Sequence, residues 1–163
     1  EGRGANRDIH SVPARRTSDV MIDVNEPAAP KVIGTRPRPV PPSEAAFTDY
    51  VQRRGSFGPK RSGYYTQPGT PKENILPYAF YNAGVQIFDV SDLNNPEITA
   101  YFVPKFDPSS VPSYALGNLA HAVYMEYDRN LIWLFTNHGF YCLSTPALGN
   151  PDFSPPRTPS PTR

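Results

Sequence analysis

The side chains with the greatest chemical capacity in this chain are few. There are three histidines, His10, His121 and His138, and one cysteine, Cys142. Imidazole nitrogens and thiolates are the usual ligands of divalent transition metals. A single cysteine excludes an internal disulfide and a cysteine-rich zinc site. Cys142 lies in the apolar run 140–143, which predicts a buried, inert thiol. A metal site would therefore depend on histidine.

The three histidines differ in their expected surroundings. His121 opens a predicted strand, directly after the stretch 116–120. His10 lies in a polar N-terminal run and is expected to be exposed to solvent. His138 lies in the turn Asn137-His138-Gly139, which we expect at the opposite end of the following strand pair and solvated. His121 is the histidine whose position most favours a function.

A loop at residues 57–67 holds a second group of candidate residues. Lys60, Tyr64 and Tyr65 lie there, before the turn Gly69-Thr70-Pro71. Exposed tyrosine and lysine side chains on a loop favour contact with a ligand or a partner protein. The alternative is that the aromatic rings are buried and anchor the loop. The chain contains no nucleophile elbow, phosphate-binding loop or dinucleotide fingerprint.

Composition limits the possible classes of protein. The 163 residues include 21 prolines, yet 38% are hydrophobic and 12% aromatic, which favours a β-rich core with proline-punctuated connections over uniform disorder. The formal net charge of +1 gives no global field that would recruit nucleic acid or an anionic membrane. The first third is rich in arginine, and this favours a solvated, irregular segment over a binding patch. No apolar run approaches the roughly 20 residues needed to span a bilayer.

A repeated segment organises the chain. Residues 21–32 and 87–98 lie 66 positions apart and share an order: apolar-Asp-Val, a small polar residue, an acid, three turn residues, Pro, a charge and a β-branched residue. A second pair, residues 80–85 and 135–140, shares the pattern Phe-x-Asn-x-Gly-apolar at an offset of 55. Asn and Gly tolerate positive φ, so this pattern predicts a hairpin turn between strands.

These patterns divide the chain into three parts. Residues 1–19 are expected to be irregular, residues 20–144 carry the β-rich repeat, and residues 145–163 are expected to be extended or disordered. Residues 35–76 are predicted to form a long loop with one short helix near 43–52, capped by Ser43. Outer strands of one unit are expected within 20–34, and six further strands at 77–82, 84–90, 97–103, 120–126, 130–136 and 139–144.

The repeat resembles the LVIVD-repeat family of β-propellers. The resemblance is carried by residues 78–92, by Pro96 and residues 100–104, by Arg54-Gly55-Ser56-Phe57-Gly58-Pro59 upstream, and by Val123-Tyr124, Asp128-Arg129 and residues 131–139 downstream. It covers about residues 20–34 and 54–144. Two positions depart from it. Many relatives have a histidine where this chain has Lys60, and an Asn-Asp pair where this chain has Ala120-His121.

The resemblance implies an all-β fold, namely a partial β-propeller of about two blades with long irregular loops, because one blade takes roughly 40–50 residues. A two-blade piece has two unpaired edges, so we expect another polypeptide to complete it. That polypeptide is either the N-terminal fragment of the same precursor or a separate subunit. The family is largely bacterial and archaeal and many members are exported, which implies a periplasmic or extracellular location.

Two functions follow from this interpretation. The first is a binding or assembly module of an extracytoplasmic bacterial complex. The second is one chain of a processed, metal-dependent propeller enzyme with its site on the central axis. In that case His121 would be one ligand of a divalent transition metal, since innermost propeller strands begin near the axis, and the missing blades would supply the other ligands. The alternative for His121 is a bond to a neighbouring loop carbonyl.

Overall fold

The structure is a computed structural model that describes residues 20–62, 68–106, 109 and 117–155. Within these ranges the chain is all-β, with two short 3₁₀ helices at Tyr50–Gln52 and Pro146–Leu148 and no α-helix. The strands are β1 (Val20–Asp23), β2 (Lys31–Thr35), β3 (Phe57–Ser62), β4 (Ile75–Tyr81), β5 (Val85–Asp89), β6 (Glu97–Phe102), β7 (Ala120–Glu126), β8 (Leu131–Thr136) and β9 (Gly139–Leu143).

The strands form one hairpin and two meanders, all antiparallel. β1 and β2 form a separate two-stranded sheet, called here the first hairpin. β3, β4, β5 and β6 pair in chain order and form the middle meander. β7, β8 and β9 form the last meander. A single residue pair, Tyr81 with Ala120, joins the two meanders into one curled, seven-stranded sheet.

The main apolar core lies between the two meanders. Alternate side chains of a strand point to opposite faces, so β4 and β5 each contribute to two different cores. Ile75, Ala79, Val85 and Ile87 face the last meander and meet its buried side chains, which are Ala120, Val123, Met125, Ile132 and Leu134. Leu148, in the 3₁₀ helix after β9, joins this core. Burial of each larger side chain contributes about 1.5–3 kcal/mol. This core fixes the two meanders against each other.

A second core covers the other face of the middle meander. Phe80 and Phe88 are buried there, and the segment between β2 and β3 covers them with Tyr50 and Phe47. The ring of Tyr50 stacks on that of Phe57 at 6.0 Å and 10°. Asp49 caps the 3₁₀ helix by accepting a 3.0 Å bond from the backbone N–H of Val51. This core holds the loop that precedes β3 in place.

The predicted repeat is confirmed in the backbone geometry of the first hairpin and of β5–β6. The four residue pairs of the first hairpin correspond, at an offset of 66, to four pairs of β5–β6. Val20–Thr35 corresponds to Gln86–Tyr101, and Met21–Gly34 to Ile87–Ala100. Ile22–Val32 corresponds to Phe88–Ile98, and Asp23–Lys31 to Asp89–Glu97. Both registers shift at the same place, where Ile33 and Thr99 are the extra residues. A bulge at the same repeat position marks the two hairpins as copies of one unit.

The turns of these two copies match as well. Oδ1 of Asp23 accepts a 2.9 Å bond from the backbone N–H two residues later, and Oδ1 of Asp89 accepts the equivalent 2.8 Å bond. The backbone N–H of Ala29 then bonds the carbonyl of Glu26, as that of Asn95 bonds the carbonyl of Asp92. The two aspartates therefore shape equivalent turns.

The second pair of similar segments, residues 80–85 and 135–140, is matched only in part in the structure. In the β4–β5 hairpin, the backbone N–H of Phe80 donates to the carbonyl of Gly84 at 2.7 Å, which leaves three residues in the turn. In the β8–β9 hairpin, Thr136 pairs directly with Gly139, so only two residues form the turn. The shared sequence pattern therefore specifies a hairpin at both places but not the same register.

Several predictions about local structure need correction. The predicted helix near 43–52 is wrong, because only Tyr50–Gln52 is helical and Asp49, not Ser43, caps it. The segment around Phe57–Ser62 forms β3, although it was predicted as loop. Cys142 is exposed rather than buried, because β9 turns it away from the core. Its thiol pKa is raised, first by partial desolvation and then by the charge of Glu126.

The arginine-rich first third is not uniformly solvated. Arg36 is only 5% exposed, and its guanidinium lies over the rings of Tyr78 and Phe88. Arg53 donates to the carbonyls of Asn82 and Pro104 at 2.6 and 3.1 Å. Burial lowers the pKa of both guanidinium groups from its ordinary value. These two arginines pack against the middle meander and hold its loops.

The described part of the tail packs against the last meander. Leu148 is buried in the main core, and the backbone N–H of Asp152 donates to the carbonyl of Arg129 at 2.9 Å. Arg129 also forms an ion pair with Glu126 at 2.8 Å. Residues 145–155 are thus bound to the β7–β8 turn, where the sequence predicted an extended or disordered tail. Residues 1–19 and 156–163 lie outside the described ranges.

Candidate functional site at the junction of the two meanders

Tyr81 lies where the two meanders join. It pairs with Phe57 at the start of β3 and with Ala120 at the start of β7, so it lies between these two strands. Its φ is +47°, in the left-handed region that a bulky residue rarely adopts. The adjoining turn, in which the backbone N–H of Gly84 bonds the carbonyl of Tyr81 at 3.1 Å, holds this conformation. The junction is therefore a strained and precisely positioned point of the sheet.

Lys60 lies on one side of this tyrosine. Its Nζ is 5.4 Å from the centroid of the Tyr81 ring, and its side chain is exposed. The register of β3 shifts between Phe57 and Arg61, so Lys60 belongs to an irregular part of the strand. A cation over an aromatic face is attracted by about 0.5–1 kcal/mol when the site is exposed. Lys60 therefore presents its charge beside Tyr81.

His121 lies against the same ring. It is the extra residue of a bulge in β7, since Ala120 pairs with Thr136 and Ala122 pairs with Phe135. The imidazole meets the Tyr81 ring edge-on, with centroids 5.8 Å apart and planes at 87°. Bulges re-aim side chains, and this one turns an imidazole towards the junction. Lys60 and His121 thus both lie against the ring of Tyr81.

The asparagine that follows each junction strand fixes this geometry. Asn82 is 1% exposed, and its Nδ2 donates to the carbonyl of Tyr50 at 2.7 Å. At the equivalent place in the last meander, Oδ1 of Asn137 accepts a 2.6 Å bond from the backbone N–H of Leu119. Each asparagine also donates its own backbone N–H to the carbonyl of the residue that precedes β3 or β7, Ser56 or Leu119, at 3.2 Å. The paired Asn-x-Gly motifs therefore hold the starts of β3 and β7.

The structure places His138, whereas the loop residues Tyr64 and Tyr65 lie outside the described ranges. The prediction that His138 lies at the far end is wrong, because Thr136, just before its turn, pairs with Ala120 at the start of β7. Its ring lies 5.9 Å from that of Phe106 rather than against Tyr81. Tyr64 and Tyr65 lie outside the described residues, as does His10. The four predicted site residues are Lys60, Tyr64, Tyr65 and His121. The structure places two of them, Lys60 and His121, against the ring of Tyr81.

Metal ligands are not assembled in the part of the chain that the structure describes. No group of three or more His, Cys, Asp or Glu side chains is close enough there to hold a metal ion. The ring that His121 meets is that of Tyr81, and neither this phenol ring nor the ammonium group beside it is a metal ligand at neutral pH. His121 as a ligand would depend on side chains from elsewhere. The junction itself suits contact with carboxylate or aromatic groups.

A groove of about 820 Å³ lies between the loop that covers the second core and the segment at the end of β6. Residues 42–53 form one wall and residues 101–106 the other, with Phe47, Tyr50 and Tyr101 among its aromatic side chains. Burial raises the pKa of the Tyr50 phenol, so this group stays neutral. The lining is mainly apolar, with Arg53 held by carbonyl groups in the wall.

Sequence reasoning missed Tyr81, the residue around which the junction is built. It was visible only as the variable position of the Phe-x-Asn-x-Gly motif. Its contact with His121 joins residues 40 positions apart through one strand pair, which no local pattern specifies. The Asn82 motif was identified as a turn, but its role in holding β3 was not.

The fold and this junction define the chain as an all-β protein built from a repeated strand–turn–strand unit. Comparison with models of protein families, with curated proteins and with solved structures finds no match. No helix within the described ranges is long and apolar enough to cross a membrane.

Proposed function

We propose that this chain is the C-terminal portion of an LVIVD-like β-propeller that acts as a binding or assembly module in an extracytoplasmic bacterial complex. One observation carries most of the proposal. The first hairpin and β5–β6 share register, bulge and turn, which supports an array of one four-stranded unit, and the middle meander has all four strands within the described residues. Stacked, repeated four-stranded units are the architecture of a propeller.

The incomplete copies support completion by a second polypeptide. The first hairpin corresponds to the outer half of a unit, and the last meander has three strands, so that β6 has no counterpart beside β9 among the described residues. Phe140, on β9, is 72% exposed. Units of a repeat protein stabilise each other through their contacts, so incomplete terminal units favour association with further units.

The junction of Tyr81, Lys60 and His121 is the surface that we assign to binding. It lies where innermost strands meet, and it offers a cation, an imidazole and an aromatic ring to a partner. Such groups recognise acidic and aromatic side chains of another protein. The completing polypeptide is the N-terminal fragment of the same precursor or a separate subunit.

A mass spectrum and a denaturing gel of the native material test the assembly. We expect a second polypeptide in stoichiometric amount with the chain. The chain expressed alone should associate or be digested rapidly by protease. A monomeric, cooperatively folded and protease-resistant chain with no companion in the native material would contradict the proposal.

The second candidate function is a processed, metal-dependent propeller enzyme. The observation that favours it is the bulge that turns His121 towards the junction of two innermost strands. Metal analysis of the intact assembly separates the two candidates. Stoichiometric metal that is lost in a His121→Ala variant, but retained in His138→Ala, would favour the enzyme. A metal-free assembly would exclude its metal-dependent form.

A further inference from the structure

Among the described residues, one edge of β1 has no neighbouring strand, whereas the equivalent edge of β5 is occupied. β5, the repeat equivalent of β1, lies between β4 and β6. β1 pairs with β2, the equivalent of β6, and no strand within the described residues pairs with its other edge. Since the two hairpins share four residue pairs and the bulge, the backbone of β1 is already shaped for the neighbour that β5 has.

The amides that face this edge can be identified from the middle meander. The backbone N–H of Phe80 bonds the carbonyl of Gly84, and that of Val90 bonds the carbonyl of Asn74. Hydrogen-bonded pairs of an antiparallel ladder recur at every second residue, so the amides of residues 86, 88 and 90 face β4. At the offset of 66 these are Val20, Ile22 and Val24. Their amides face the open edge of β1.

The first hairpin also has an apolar face, equivalent to the one that β5 and β6 bury in the second core. Phe88 and Val90 are 0% and 8% exposed in the second core, whereas their equivalents Ile22 and Val24 are 50% and 63% exposed. Val32, the cross-strand partner of Ile22, is 65% exposed. In the middle meander this face is covered in part by Tyr78 and Phe80 of β4 itself. A strand of the β4 type would thus satisfy the edge and cover the face together.

We infer that β1 binds a β4-type strand from a polypeptide outside this chain, antiparallel and in the β4–β5 register. The inference rests on the proposed function, in which another polypeptide completes the fold, and it names the strand and its place. The incoming strand sets an apolar residue, equivalent to Leu76, opposite Ile22, and an aromatic one, equivalent to Tyr78, opposite Val20. Backbone bonds at the edge supply the affinity, and alternate side chains supply the specificity.

The β4 sequence of the chain itself is the probe for this edge. A synthetic peptide of residues 72–84 is added while the isotopically labelled full chain refolds, and amide hydrogen exchange is measured by NMR. We expect exchange of Val20, Ile22 and Val24 to slow at least tenfold. Exchange of Thr35, which lies at the outer edge of the hairpin, should stay within twofold.

Two peptide variants test the register without altering the protein. In the β4–β5 register the amide of Leu76 bonds the neighbouring strand, while that of Ile75 faces away. Proline removes an amide donor. A peptide with Leu76→Pro should therefore lose at least tenfold in affinity, and one with Ile75→Pro should bind nearly as well as the parent. Equal effects of the two substitutions would overturn the inference.

Other outcomes also decide the matter. Slow exchange of Val20, Ile22 and Val24 without peptide would mean that residues 1–19 or a second copy of the chain occupies the edge, and it would overturn the inference. Sedimentation would tell these two occupants apart. The peptide result does not depend on finding a companion in native material, so a failure of the proposed function and a failure at this edge are separate results.

Discussion

The guanidinium carbon of Arg36 lies 4.0 Å from the centroid of the Tyr78 ring. Arg36 follows β2 directly, and Tyr78 lies in the middle of β4, so this contact binds the first hairpin to the second core. A buried cation is costly unless it is paired or lies over an aromatic face. Two rings lie beside the Arg36 guanidinium, since its central carbon is also 5.3 Å from the centroid of the Phe88 ring.

We expect Arg36→Ala to lower the free energy of unfolding by about 2 kcal/mol, because it removes a desolvated cation–π contact together with the packing of the side chain. Arg36→Lys should recover only part of this loss, since a planar guanidinium stacks on a ring and an ammonium does not. Urea unfolding measures both effects. Lys72→Ala, at an exposed cation, is the control and should change little.

Gly34 should not tolerate a larger side chain, although its repeat equivalent is Ala100. A Cβ on Gly34 would stand 2.4 Å from the carbonyl oxygen of Leu93, in the β5–β6 turn. The first hairpin therefore approaches this turn more closely than any side chain allows. Gly34→Ala should cost about 1–3 kcal/mol through overpacking, as measured by thermal unfolding.

The same substitution should also loosen the hairpin locally. Limited proteolysis of Gly34→Ala is expected to cut within residues 20–35 before it cuts the middle meander. Ala100→Gly, the reverse change at the equivalent position, is the matched control and should leave the order of cleavage unchanged. Equal protection of the hairpin in the two variants would contradict the close approach.

The three asparagines of the turns should rank by burial and by the bonds they make. Asn82→Ala removes the bond to the Tyr50 carbonyl in a site that is 1% exposed, so it should cost about 1–3 kcal/mol. Asn137→Ala removes the bond from the Leu119 backbone at an exposed position and should cost less. Asn94→Ala, in the exposed β5–β6 turn, should cost least. Chemical unfolding of all three variants tests this order.

Asp89 gives a prediction of pH dependence. The hydroxyl and backbone N–H of Ser91 both donate to its carboxylate, at 2.6 and 2.8 Å, and they hold the pKa of Asp89 below its ordinary value. A lowered pKa in the folded state contributes stability above the unfolded pKa, near 3.9, and this contribution is lost as the pH falls through the folded pKa. Ser91→Ala should raise the Asp89 pKa, as followed by NMR titration of its carboxyl carbon. An unchanged pKa would mean that the hydroxyl bond is not made in solution.

Much of the fold was predictable because its signals are local. The bounds 120–126 predicted for one strand are those of β7, and the two Asn-x-Gly segments form hairpins as predicted. β3 could not be predicted, since Phe57-Gly58-Pro59-Lys60-Arg61-Ser62 has no apolar alternation and becomes a strand only through pairing with β4. The helix near 43–52 was mispredicted because Phe47 and Tyr50 are taken up by the second core, which propensity alone does not reveal.

The junction was predictable in its members but not in its geometry. Lys60 and His121 were singled out separately, and neither pattern indicates that they share a neighbour. Their meeting depends on the single pair between Tyr81 and Ala120 and on the bulge that leaves His121 unpaired in the ladder. Cys142 was mispredicted for a related reason. An apolar run indicates burial on both faces, yet β9 is covered on one face only within the described residues.

Removal of the Tyr81 ring should shift the NMR resonances of His121 and leave those of His138 unchanged. Tyr81→Leu keeps an apolar side chain but removes the ring that meets His121 at 5.8 Å, so the ring-proton resonances of His121 should move as the ring current is lost. Phe106→Leu removes the ring 5.9 Å from His138 and should move the resonances of that histidine instead. Two-dimensional NMR of the imidazole protons in the assembled protein measures both. Because the two variants remove similar rings at similar distances, each is the control for the other. A shift of His138 in Tyr81→Leu, with His121 unchanged, would contradict the placement of His121 at the junction.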